Sequence, residues 1–350
     1  MKIADYQKED WDDLIEKINE DYCVLFLGPG VYKNEDDKIL NNVLNQLLKR
    51  KYEDEINDFF QEDGFIMLND DGVKNDIFRI VKKFYAEQTV SDTLKKISQI
   101  PFHCVIAMTP DLLLKRCMDT HQIPHQFDYF SMTKAIESNL TEPKKNNPFL
   151  YYMFGSVAED ETIVLTHEDF FNYLQKIISN ERLPGILTKT IAKATDLIFL
   201  GFEFEKWWVQ LMLRLLGIHR AKGKKMALLN EQNSNFTKIS KKQFKIKIID
   251  DDASLFIDTL FKNMERNPNN LRPLNALTKQ VDEAELEIKN KKISNLTEQI
   301  LKAMDLQKEY EKKKMLTSIP REEMLCDEEI AKLNIEIKQK SDEMKALKNS

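Results

Sequence analysis

The residues best placed to do chemistry sit just past short apolar runs. Cys23-Val24-Leu25-Phe26-Leu27 leads straight into Gly28-Pro29-Gly30. A continuous apolar run bounded by turn residues reads as a buried parallel strand. Glycines after such a strand let backbone approach a ligand closely, and a helix starting there points its first N–H groups at phosphate. The chain has nine glycines, so two flanking a proline at a strand end is a telling placement. A tight structural turn without a ligand would use the same triplet. Other runs end in Thr109-Pro110-Asp111, Phe154-Gly155-Ser156, Thr166-His167-Glu168-Asp169, Gly201-Phe202-Glu203 and Asn230-Glu231. Ligands of open parallel sheets bind beyond the carboxyl ends of the strands, so these hydroxyls, acids and glycines form the candidate site. Thr166 and Asp169 also make a helix N-cap pattern that explains both without a ligand. His167 between them could face a ligand or be a bystander of the first helical turn.

The elements that would position these residues alternate. Strands are expected at 22–27, 103–108, 149–153, 162–165, 196–200, 225–229 and 244–249. Amphipathic helical patterns are expected at 11–18, 39–52, 73–85, 94–100, 111–118, 168–178, 205–216 and 253–264. That alternation predicts an α/β fold, Rossmann-like, with a largely parallel sheet and helices on both faces. The polar stretches 54–75 and 119–147 read as inserted loops or short helices, and 51–100 as a mainly helical subdomain. After about residue 266 the chain has no glycine and one aromatic residue, Tyr310. The division expected is a globular domain at 1–265, a linker at 266–273 and an all-α appendage at 274–350.

Composition narrows the function. An apolar fraction of 42% suffices for a large core, and a net charge of −6 argues against a broad basic face for nucleic acid. No run reaches the roughly 18–20 apolar residues of a membrane helix, and the polar start of the chain predicts no signal peptide. Cys23, Cys104, Cys117 and Cys326 lack metal or redox spacing, so buried thiols are expected, with neither disulfide nor zinc. The chain reads as cytoplasmic.

In this order the motifs resemble those of the sirtuin-like NAD-binding family, in particular the divergent bacterial branch whose members consume NAD in anti-phage defence. Gly28-Pro29-Gly30-Val31-Tyr32 resembles the family's Gly-Ala-Gly-hydrophobic-Ser phosphate loop. Residues 106–113 fall where the family has Thr-Thr-Asn-x-Asp, residues 150–156 where it has Leu-His-Gly-Ser, and residues 161–170 resemble the helix start that follows. Residues 197–204 resemble the strand-Gly-aromatic motif that closes the cofactor site. The resemblance covers about 20–265. It implies NAD as substrate or ligand, no metal, cofactor contacts from Gly28, Pro29, Gly30, Val31, Tyr32, Thr109, Asp111, Phe154, Gly155, Ser156, Gly201 and Phe202, and catalytic roles for Asp111, Thr109 or His167.

Two departures bear on activity. Thr109 stands where the family has Asn, and Phe154 where it has the general-base His; phenylalanine exchanges no proton. Zinc-ribbon cysteines are missing, so a zinc-containing deacetylase is not expected. Three accounts follow: an NAD glycohydrolase using other groups, a site completed by another subunit, or a degenerate adaptor or nucleotide sensor. Cleavage of the nicotinamide–ribose bond passes through an oxocarbenium-like state that a carboxylate can stabilise without a strong base.

The helix of Trp207 and Trp208 reads as a core helix or an oligomer interface. In the appendage, Leu277, Val281, Ala284 and Ile288, then Ile293, Leu296, Ile300, Leu301 and Met304, follow helical spacing. A break at 317–320 precedes a helix started by Pro320. A helical hairpin or a small bundle is expected, and it weakly resembles effector-associated modules of bacterial conflict systems. That likeness implies an abortive-infection effector forming a homo-oligomer and meeting a second defence-system protein through 274–350, with no direct contact to nucleic acid or membrane.

Overall fold

The apolar runs become central strands because the chain lays helices on both of their faces. The computed structural model describes residues 2–57, 63–69, 71–132, 139–159, 162–179, 183–229, 240–273, 276–316 and 320–349. It divides into two compact units, 1–274 and 275–350.

The first unit is built on a seven-stranded, all-parallel sheet. Its strands are β1 (Cys23–Leu27), β4 (Cys104–Ala107), β5 (Gln126–Tyr129), β6 (Phe149–Tyr152), β7 (Asp196–Leu200), β8 (Lys224–Leu228) and β9 (Ile246–Ile249), in the order β5-β6-β4-β1-β7-β8-β9. Two short strands, β2 (Ile56–Asn57) and β3 (Met67–Leu68), pair antiparallel apart from it. Successive side chains of a strand point to opposite faces. Cys23, Leu25 and Leu27 accordingly join a core with α1 (Lys8–Asn19), α2 (Leu40–Lys51), α3 (Lys74–Glu87), α4 (Asp92–Gln99), α5 (Leu113–Thr120) and α9 (Ala253–Glu265). Val24 and Phe26 join a second core with α6 (His167–Ile178), α7 (Gly185–Lys193) and α8 (Trp207–Leu215). All four cysteines are free and buried.

Three expectations change. Residues 162–165 form no strand: Ile163, Val164 and Leu165 are buried, but they are held by isolated bonds such as Val164 N–H to the Phe154 carbonyl (3.0 Å). Burial by packing and pairing in a ladder leave the same apolar signature. Both stretches expected to be loops or short helices hold strands: β2 and β3 lie in 54–75 and β5 in 119–147, where it is an edge strand whose Gln126 and Asp128 break the apolar run. Helix α7 was hidden behind Pro184 and Gly185, which occupy its start. The strand end at Asn230-Glu231 lies outside the described residues.

The stretch expected to link the units is part of the first one up to Arg272. Its guanidinium is buried and donates to the carbonyls of Ser98 (2.8 Å), Ile100 (2.9 Å), Phe102 (2.6 Å) and Lys145 (2.9 Å). A cation at the end of α4 satisfies carbonyls that the helix leaves without partners.

The second unit is two long helices, α10 (Ala276–Leu316) and α11 (Pro320–Asn349). Partners on α10 run upward as those on α11 run downward: Thr297 with Met344, Gln307 with Asn334, Lys314 with Asp327. The helices are therefore antiparallel without a register slip. Leu296, Ala303, Cys326 and Leu333 are buried in the seam. Among the described residues, no helix is long and apolar enough to cross a membrane.

Candidate functional site at the carboxyl edge of the sheet

The chain leaves β1 toward one side of the sheet and returns at β7 on the other, so the crevice of this doubly wound sheet falls between the turns that follow these two strands. Glycine seals those turns together. The Gly28 N–H donates to the Leu200 carbonyl (2.8 Å) and the Gly30 N–H to the Gly201 carbonyl (3.0 Å). A Cβ on Gly28 would stand 2.3 Å from the Gly201 oxygen, and one on Gly201, at φ +67°, 2.5 Å from the Val31 nitrogen. Val31 and Tyr32 donate back to Gly28 and Pro29, closing a 3-10 turn over Pro29–Val31. Every amide of 28–32 that has a hydrogen thus donates within the protein. The expectation that this loop aims free N–H groups at phosphate is corrected: the glycines serve close backbone contact, and the next α-helix starts only at Leu40.

On one side of this seal lies a narrow pocket of about 40 Å³. Pro29, Thr109, Pro110, Phe154, Trp208 and the segment Asp63–Phe65 bound it. A water needs roughly 10–15 Å³ on this measure, so the pocket has room for a few waters. Thr109 reaches it directly. Asp111 lies behind, fully buried, with Oδ1 accepting the Leu113 N–H (2.8 Å) and Oδ2 without a partner. Burial pushes its carboxyl up to about 6, against the opposing pull of Thr109 and the Leu113 amide. The hydroxyls of Tyr32, Thr109 and Tyr152 are also buried and lack a partner in hydrogen-bond geometry. Thr109 is nonetheless close enough to Tyr32 and Asp111 to favour their ionised forms, and the Asp111 charge pushes up Tyr32, Tyr85 and Tyr152, on which burial acts most. One carboxyl and several hydroxyls thus form a buried polar group beside the pocket. Buried polar atoms left unpaired are rare and mark strain, water or a ligand.

Phe154 turns into an aromatic box with Phe65, Phe170, Tyr173 and Trp208, with ring centroids 5.5–6.2 Å away. Gly155 (φ +81°) and Ser156 fold back on Thr162: a Gly155 Cβ would stand 1.8 Å from the Thr162 oxygen, and the Ser156 N–H donates to Thr162 Oγ1 (3.0 Å). These two residues shape the turn after β6 and do not line the cavity. His167 heads α6 inside the Thr166–Asp169 capping box. Its Nε2 lies 3.4 Å from Asp63 Oδ2, and its ring packs on Phe65 and Phe171. The structure therefore brings Tyr32, Thr109 and Asp111 together and sets His167 with Asp63 at another part of the wall.

Asp63 is the residue the sequence reading missed. Its Oδ1 accepts the Trp207 indole N–H (3.0 Å) and its carbonyl accepts that of Trp208 (2.8 Å). Trp208 is buried, whereas Trp207 is 45% exposed. The pair of tryptophans was a usable signal, since a buried indole N–H needs an acceptor. Tyr85 and Tyr152 carried no signal, because their helix and strand settings explain them.

Across the glycine seal lies an open groove of about 390 Å³, which Gly30, Gly201 and Phe202 share with Lys33, Asp251 and Asp252. Lys33 pairs with Asp37 (2.9 Å) and Asp252 (3.8 Å). Among the described residues, no cluster of three or more His, Cys, Asp or Glu could hold a metal ion.

No curated protein matches the chain. Among solved structures it is similar to one from a study of the mechanism and regulation of Sir2 enzymes, with 12% identity, 74% of this chain and 98% of that chain covered, and a TM-score of 0.35. It is also similar to a mutant Sir2 homologue in complex with 2'-O-acetyl ADP ribose, with 8% identity, coverage of 73% and 96%, and a TM-score of 0.36. Residues 110–249, from the turn after β4 to the end of β9, match the family model of the SIR2-like domain.

Proposed function

We propose that the first unit binds NAD at the carboxyl edge and hydrolyses it, as an effector of bacterial anti-phage defence switched on by a partner or by self-association through the helical unit. The observation that carries this reading is the unpaired group of Thr109 Oγ1, Asp111 Oδ2 and the Tyr32 and Tyr152 hydroxyls at the edge of the cavity, within a chain that matches the SIR2-like domain. The pyridine end of the dinucleotide would enter beside Thr109 and Phe154, and the remainder would lie along the groove of Gly30 and Gly201. A ring is larger than the narrow part of this pocket, so its entry would widen the space between Thr109, Phe154 and Asp63–Phe65. In hydrolysis the bond between the ribose C1' and the pyridine nitrogen breaks, and nicotinamide leaves neutral with the electron pair. Water adds at C1' and gives its proton to solvent. Asp111 acts as a positioning residue through Thr109, and its negative charge, present above about pH 6, favours the cationic ribosyl centre. With Phe154 in place of a base, water attacks unassisted, at a cost of about 10²–10⁴ in rate.

A second reading, a non-catalytic adaptor or nucleotide sensor acting through partners, is favoured by two observations: the amides of 28–32 are spent within the protein, and Phe154 is committed to an apolar box. Calorimetric titration of NAD and a turnover assay, on the full chain alone and with candidate partners, separate the two. Saturable binding and turnover, with turnover lost in Thr109→Val, support the hydrolase. Neither binding nor turnover in any mixture sinks it and leaves the adaptor.

A further inference from the structure

The second unit exposes an apolar and charged stripe beside its seam. Successive residues of a helix are turned by about 100°, so Leu301, Met304, Lys308, Glu311 and Met315 of α10 share an arc of about 80°. That arc lies roughly a quarter turn from the residues buried against α11. Leu301, Met304 and Met315 are 56%, 41% and 86% exposed, and Met324, near the start of α11, is 64% exposed. The described exposed large hydrophobics are concentrated here: eight of fifteen fall in this unit, which spans 275–350 of the chain. Two helices joined in a hairpin have no second layer to cover such a face.

The order along the stripe says what covers it. Apolar residues stand at both ends and opposite charges in the middle. If a second α10 lies antiparallel on the first about a two-fold axis between residues 309 and 310, Met304 of one copy meets Met315 of the other, and Lys308 meets Glu311, each contact occurring twice. A surface that complements itself under a two-fold rotation is the requirement for an isologous dimer. Among the described residues these charges are engaged locally: Lys308 with Asp305 (3.4 Å) and Glu311 with Gln307 (3.4 Å). We propose that this stripe pairs with the same stripe of a second copy, joining two hairpins into a four-helix bundle. The inference stands on the second unit alone and is independent of the nucleotide reading.

The test uses the full chain and sedimentation over a range of concentrations, with circular dichroism to follow helicity. A dimer is expected. Lys308→Glu sets like charges opposite each other twice and weakens it roughly tenfold, and Lys308→Glu with Glu311→Lys restores it. The double variant Met304→Cys/Met315→Cys, made with Cys326→Ser because the hairpin register sets that free thiol opposite 315, then fixes the register. On one helix these positions are about 16 Å apart, beyond the ~7 Å that a disulfide spans, so a bond between them can form only between copies and yields a covalent dimer under mild oxidation. A monomeric wild type at all concentrations overturns the proposal. So does a dimer indifferent to both Lys308→Glu and Met304→Asp, which would place the contact elsewhere.

Discussion

Asp111→Asn tests the central feature of the site, a carboxyl held where its charge is unwelcome. Its pKa is pushed from 3.8 to about 6, with burial as the largest cause. Two units at about 1.4 kcal/mol each make a differential of about 3 kcal/mol between the protonated and ionised forms. Because the folded pKa is raised, the native state holds a proton that the unfolded chain gives up between about pH 4 and 6. Wild-type stability therefore falls across that window and carries the full penalty above it. Asparagine keeps an oxygen for the Leu113 N–H and never ionises. Relative to wild type, Asp111→Asn should gain nothing near pH 3.5 and about 3 kcal/mol at pH 7, worth roughly 6–10 °C in Tm for a unit of this size. Tryptophan fluorescence during urea unfolding is the suitable assay, since Trp11, Trp207 and Trp208 all lie in the first unit. A difference between the two proteins that stays constant from pH 4 to 7 would refute the buried-charge account. A wild type that gains on the variant as pH rises would show that the carboxylate has a stabilising partner.

Other expectations follow from single contacts. Gly201→Ala should destabilise the first unit by more than about 2 kcal/mol in chemical denaturation, because a Cβ at φ +67° meets the Val31 nitrogen at 2.5 Å; no change would mean that the seal between the two turns yields easily. Arg272→Ala strips three buried carbonyls and the half-buried one of Lys145 of their donor and should cost about 3 kcal/mol or more, whereas Arg272→Lys, lacking the planar fork, should recover only part of it. Phe154→Ala should cost about 3–5 kcal/mol by opening a void in the aromatic box, read as a lowered Tm; a loss under 1 kcal/mol would mean that the box collapses around the gap.

The alternation of β1, β4, β7 and β8 with helices was legible because strands covered on both faces must be apolar at every position, and Cys23–Leu27 and Asp196–Leu200 nearly are. The edge strand β5 escaped because an edge tolerates Gln126 and Asp128, and residues 162–165 misled because burial needs no ladder. The site was legible in part for the same reason: Thr109 and the glycines follow strands, and strands of a parallel sheet end on one edge.

By itself the sequence determined the period of burial, and with it a parallel α/β sheet, an all-α appendage and the short set of residues at the strand ends. Its glycines promised close approach at the 28–30 and 201 turns but could not say to what. Only the tertiary structure decided that the two turns approach each other, spending the amides of Gly28 and Gly30 on Leu200 and Gly201. It also brought Asp63, distant in sequence, beneath both tryptophans and beside His167, and placed Asp111 behind Thr109 instead of in the open. The physical reason is that periodicity is a local property of the chain. Which donor meets which acceptor, and which carboxyl loses its water, depends on segments that meet only when the sheet has closed its two faces.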